Sequence, residues 1–272
     1  SYTYNSASPL MTSDRDYAAG AGEGNLTSMD IRHSAFAMVS QDVTDRLTLD
    51  ADIGGTWRKI KNGFTNLSSF NPIFDTRVAS EGRTKQAWIN TALDYRVDDA
   101  TSADLSASYS EVDTDSVAVL NTYNRTPPLI RPSDTSTSHA VFDVTAKVDG
   151  TLFELPSGKV RYSVGAGLID ERFKGASPLT LTQTAGELGR RTTSAFGEVF
   201  APLATPSQNI PFITRLSLSL AARYTGYEDT SEPPLGRDFG DAIDPKIGIH
   251  WSPIEALGLR ATYGTSFRAP SV

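Results

Sequence analysis

Few residues in this chain have the types and spacing that chemistry needs. Its three histidines, His33, His139 and His250, fall in three separate segments, and none has a second histidine or an ExxH neighbour at metal-ligating spacing. There is no cysteine, which excludes thiolate ligands, a thiol nucleophile and a disulfide framework. Glu111, Asp113 and Asp115 of "EVDTDS" stand two apart, on one side of an extended segment. A calcium loop of the EF-hand type needs glycine at its sixth position, and counting from Asp113 that position is Ala118. A solvated acidic segment is the simpler role. "GAGEG" at 20–24 has the glycines of a phosphate loop, but no strand leads into it and no helix follows. A G-x-S-x-G elbow for a serine nucleophile is absent. The expectation is no catalytic residue, no metal ligand and no cofactor.

The elements available to position side chains are strands. Period-two alternation recurs along the chain and helical periodicity is nearly absent. In "TRLSLSLAARYTGY", Leu216, Leu218, Leu220, Ala222 and Tyr224 share one face, opposite Arg215, Ser217, Ser219, Ala221 and Arg223. The segment from Leu257 repeats the design, with Leu257, Leu259, Ala261, Tyr263 and Phe267 against Arg260, Thr262, Ser266 and Arg268. "SHAVFDVTAKVD", "WINTALDYRV" and "RLTLDADI" do the same, placing Asp143, Lys147, Asp94, Asp50 and Asp52 on polar faces. His250 falls on such a face too, near Lys246 and Gly248.

Turns divide the runs into hairpins, read as 31–41 with 46–59, 84–97 with 104–117, 138–149 with 160–172, 192–203 with 214–227, and 243–252 with 257–268. Connections within a pair are mostly short, as in "DVTD" and "PIEA". Those between pairs, 60–83, 118–137, 173–191 and 228–242, are long and polar and are expected to be loops. Short turns at one end and long loops at the other are the asymmetry of a transmembrane barrel. No run of about 18 apolar residues exists, so no helix would span a membrane, but a barrel's alternation keeps mean hydropathy polar. Trp57, Tyr95, Tyr227, Trp251 and Phe267 lie near segment ends, where interfacial girdles sit.

The expected fold is therefore all-β, an antiparallel meander of about ten long strands forming part of a larger transmembrane β-barrel. Residues 1–30 are read as a loop or incomplete strand and 31–272 as the partial barrel. A soluble β-sandwich shares the alternation. It does not explain Arg and Asp repeated near strand centres. Charge on a lipid-facing position costs about 2–4 kcal/mol at mid-membrane, so Arg215, Arg223, Arg260 and Arg268 are placed inward. With 25 Lys plus Arg against 32 Asp plus Glu, a nucleic-acid partner is not expected.

From Thr192 onward the chain resembles the TonB-dependent outer-membrane receptors. The resemblance is carried by "AFGEVFAPL", "LSLSLAARYTGYED" and "DPKIGIHWSPIEALGLRATYGTSFRAPSV", including Glu198, Pro202, Leu203, Ala221 to Tyr224, Pro245, Lys246, Gly248, Trp251, Pro253 and Phe267 to Ser271. Residues 1–191 are similar only in strand pattern and loop asymmetry. The resemblance implies a bacterial outer-membrane location and energy-coupled uptake of a scarce nutrient such as a siderophore. It implies three partners: a plug domain inside the barrel, a TonB-type energy-coupling protein reached through that plug, and a small-molecule ligand. The four arginines then become candidates for plug or ligand contact. In that family the Phe-Arg-Ala-Pro corner is followed by further strands, so the chain is expected to be an internal barrel segment, without plug or terminal strand. It should form an open sheet with 257–268 as an unpaired edge, and aggregate when expressed alone. A passive porin, a soluble or adhesive β-protein, and a hydrolase with groups from several strands are the alternatives.

Overall fold

The computed structural model describes residues 29–66, 76–122, 129–176, 186–232 and 240–267. They form one antiparallel sheet whose ten strands lie in sequence order. The strands are β1 (Met29–Thr44), β2 (Leu47–Asn66), β3 (Thr76–Arg96), β4 (Thr101–Thr122), β5 (Leu129–Leu155), β6 (Gly158–Ala176), β7 (Gly186–Ala204), β8 (Arg215–Asp229), β9 (Asp241–Ile254) and β10 (Leu257–Gly264). Each strand pairs with its neighbours in sequence, and β1 and β10 form the two edges. Among the described residues there is no second layer, so they do not form a sandwich. Only Val160 and Ala204 are buried apolar residues among those described. Ile53 and Leu220 remain 56% and 47% exposed on a face that no part of the described chain covers.

Tight turns join the strands at one end. Asp45 and Arg46 link β1 to β2, and Glu255 and Ala256 link β9 to β10. Neighbouring turns are tied together, since Arg96 donates its backbone N–H to the Arg46 carbonyl at 2.8 Å. Gly158 opens β6 with φ +126°, a conformation that side chains resist, and Pro202 lies against it. The longer β7–β8 connection contains a single 3-10 turn, Pro206–Gln208. Its exit is fixed where the Trp251 indole donates to the Phe212 carbonyl at 2.9 Å.

At the other end the structure departs from expectation. The segments 60–83, 118–137 and 173–191 hold strand at both ends, because pairing continues to Asn66, Thr122 and Ala176 and resumes at Thr76, Leu129 and Gly186, whereas in 228–242 strand is confined to the two residues at each end. A polar composition does not end a ladder whose register is already set. Cross-strand polar pairs replace apolar ones there. Thus Ser136 donates to Asp115 at 2.8 Å, and Lys59 and Lys61 flank Glu81 at 2.7 and 3.1 Å.

Candidate functional site

One face of the sheet is free of charge over a band that crosses all ten strands. In β2 it runs from Leu47 to Trp57, in β5 from Ala140 to Val148, and in β8 from Leu216 to Tyr224. Register makes it continuous. Leu49, Leu93, Leu105, Ala146, Ala166, Ala195, Tyr224 and Ile243 are successive partners from β2 to β9. This row starts three residues above the turn residue Arg46 and ends twelve above the turn residue Glu255. A nine-residue stagger at about 3.3 Å per residue, over seven strand spacings of about 4.8 Å, gives a tilt of roughly 40°. Barrel closure needs about 35–45°. At that tilt an eleven-residue strand segment rises about 25 Å, the height of a barrel's lipid-facing band.

The band's margins are amphipathic. Tyr95, Tyr162 and Trp251 lie toward the turn end. At the other end Trp57 stacks on His33 with ring centroids 5.6 Å apart, and Tyr109 donates to Glu111 at 3.0 Å. His33 therefore belongs to the apolar face. Above this margin the same face carries a charge ladder. Arg172 and Arg191 hold Asp170 at 2.9 and 3.1 Å, and Lys174 reaches Glu187 at 3.0 Å.

Glu81, in contact with Lys59, Lys61 and Arg83 on this ladder, has its carboxyl held down to about 2 by their hydrogen bonds, Lys59 foremost. A lowered folded-state pKa gives stabilisation that is complete above the ordinary value of 4.5 and fades as pH falls toward about 2. The denaturation midpoint of wild type in micelles should therefore exceed that of Glu81→Gln by a small constant margin from pH 7 to about 4.5. The margin should close below that pH and shrink in high salt, as water-exposed pairs do. A margin that widens as pH falls would contradict the assignment.

The opposite face is polar and charged. Arg215, Arg223 and Arg260 all lie on it, as their alternation requires, whereas Arg268 lies outside the described residues. They do not converge. Arg223 donates to the Ser194 hydroxyl at 3.2 Å and faces Asp244 across the ladder. Arg215 pairs with Ser252, and Arg260 with His250. His139 lies on the polar face too, its ring 6.5 Å from Phe173. Among the described residues no group of three or more His, Asp and Glu could hold a metal ion.

Two of the residues read as girdle aromatics are elsewhere. Tyr227 is on the polar face opposite Thr192. Phe267 lies beyond the end of β10, donates its backbone N–H to Asp244 at 3.2 Å, and meets Tyr227 edge-on at 5.9 Å. Alternation stops constraining a residue once the ladder ends at Gly264.

The polar face also has aromatics that sequence reading passed over. Trp88 donates to Asp52 at 3.0 Å, as does Asn90 at 2.8 Å. Its ring lies over Gly54, where a Cβ would come within 2.1 Å of it. Phe196 covers Gly165 in the same way, and Arg161 sits 5.1 Å above the Phe200 ring. The available signal was the spacing in "AFGEVFAPL", which puts Phe196, Glu198 and Phe200 on one face.

A family model described as TonB dependent receptor-like, beta-barrel, matches residues 41–272. No curated protein matches the sequence. Among solved structures the chain is similar to BauA, the ferric preacinetobactin receptor from Acinetobacter baumannii, at 8% identity and a TM-score of 0.49. That alignment covers 86% of this chain and 46% of BauA, so the chain spans about half of that structure's length. The β domain of the Bordetella autotransporter BrkA is similar at 12% identity and a TM-score of 0.31, covering 87% of this chain and 91% of that one.

Proposed function

The chain belongs to the TonB-dependent receptor-like β-barrel family, and from that premise we propose that it forms part of the wall of an outer-membrane receptor for energy-coupled nutrient uptake. The observation that carries this reading is the charge-free band, tilted by roughly 40° and about 25 Å high, backed by a polar face able to line a lumen. An apolar face of that height is stable when lipid covers it, and in water it would be a large uncovered patch. The wall contributes hydrogen-bonded strands and an aqueous lining. Ligand recognition belongs to the segments beyond the band and to a plug domain inside the barrel, and energy comes from a TonB-type partner acting on that plug. A scarce metal chelate such as a ferric siderophore is the proposed cargo class. No enzymatic role is assigned.

Growth of a deletion strain tests this. Without the full-length protein, cells supplied with iron only as a ferric siderophore should stop growing. They should stop equally when the protein is present and the TonB-type partner is deleted. Uptake that persists without that partner would mark a passive pore and overturn the proposal.

A further inference from the structure

Charge on the polar face is segregated across the sheet. At the level of the apolar band, strands β2–β5 present five carboxylates, Asp50, Asp52, Asp94, Asp104 and Asp143, against one cation, Lys147. Just beyond it stand Asp149, in one row with Arg96 through Ser102, and Arg58, which is paired with Asp30 of β1 at 2.7 Å. Strands β8–β10 present the reverse, Arg223, Lys246 and Arg260 against Asp244, with Arg215 at their rim. Lys147 is already engaged by Asp104 and Asp149, at 3.3 and 2.7 Å. Asp94 and Asp104 face each other directly across the ladder, an arrangement that repels. Among the described residues no cation comes within ion-pair distance of Asp50, Asp52 or Asp143, and no carboxylate within that distance of Arg215, Lys246 or Arg260. Each half thus offers charges that no opposite charge of the described wall answers, with Asp52 held only by the neutral donors Trp88 and Asn90.

The two halves are far apart. From β4 to β9 is five strand spacings, about 24 Å along the sheet. A small ligand cannot touch both poles at once, whereas a folded domain can. We propose that the polar face is the docking surface of one folded polypeptide body with segregated charge of its own, cationic toward β2–β5 and anionic toward β8–β10. The wall then sets that body's rotation about the barrel axis, because turning it by half a revolution would set like charges together. The inference rests on the proposed receptor function, in which a domain fills the lumen, and adds its orientation and surface chemistry.

Conductance of the full-length protein in planar lipid bilayers tests it. Ser106, on the polar face of β4 beside Asp104, and Thr262, on that of β10 beside Arg260, supply sites where either sign can be introduced at similar bulk. Wild type should stay closed. Ser106→Lys and Thr262→Glu should make open events roughly tenfold more frequent, the population change of losing about one partly buried charge contact. Ser106→Glu and Thr262→Lys should stay closed like wild type. If both signs at a site act alike, whether closed or open, the orientation proposal fails while the receptor reading stands. A wild type that itself carries a large ohmic current has a water-filled lumen, and both fail together.

Discussion

Leu218→Arg is expected to remove nearly all assembled protein from the membrane, and Ser219→Arg to leave it in place. The two positions are adjacent in β8, yet their partners differ in kind. Leu218 lies between Ala201 and Ile249 in the middle of the charge-free band. Ser219 lies between Phe200 and Gly248 on the polar face. A guanidinium at mid-membrane on the lipid face costs about 2–4 kcal/mol, which shifts the assembled population roughly 30- to 1000-fold. The same group on the polar face keeps its water. Counting heat-resistant, membrane-inserted protein for the two variants decides the matter. Equal yields would overturn the assignment of faces and, with it, the proposed membrane function.

Gly165→Ala is the second large effect, and it acts through the ladder. A Cβ at Gly165 would lie 2.5 Å from the Phe196 ring and 2.7 Å from the Ala146 carbonyl oxygen. The ring can turn away. The carbonyl cannot, because it belongs to the backbone pairing of β5 with β6, where Ala146 and Lys147 oppose Ala166 and Gly165. Forcing an atom into such a place costs about 1–3 kcal/mol, a roughly 5- to 150-fold change in the folded population. Phe196→Ala combined with Gly165→Ala should recover only part of the loss. Gly82→Ala is the control, since a Cβ there meets nothing within 4 Å. Denaturation midpoints of the three variants in micelles test this, and Gly165→Ala matching Gly82→Ala would refute it.

Much of the wall was legible beforehand because side-chain direction in a strand is a local property. Leu216 to Tyr224 and Leu257 to Tyr263 fall on the faces that alternation assigned, and so do Arg215, Arg223 and Arg260. The hairpins were legible from the short turns within them, which permit only antiparallel neighbours. Strand ends were not. Polar residues such as Glu81 and Ser136 read as loop on composition, yet they continue the ladder by pairing with Lys59 and Asp115 of the neighbouring strands. That pairing depends on residues more than twenty positions away.

By itself, then, the sequence determined which side chains share a face, because the period of two is built into extended backbone and needs no partner strand. It also determined that no covering layer was required, since one face carries a charge-free band and the other carries the charge. Only the tertiary structure decided what stands beside what. It set the stagger that tilts the strands, brought Asp94 opposite Asp104, gathered acids on β2–β5 and bases on β8–β10, and laid Trp88 and Phe196 over glycines. It also moved Tyr227 and Phe267 away from their expected places. The physical reason is register. Cross-strand neighbours are fixed by hydrogen bonds between distant segments, and a shift of one residue in any strand would exchange its two faces.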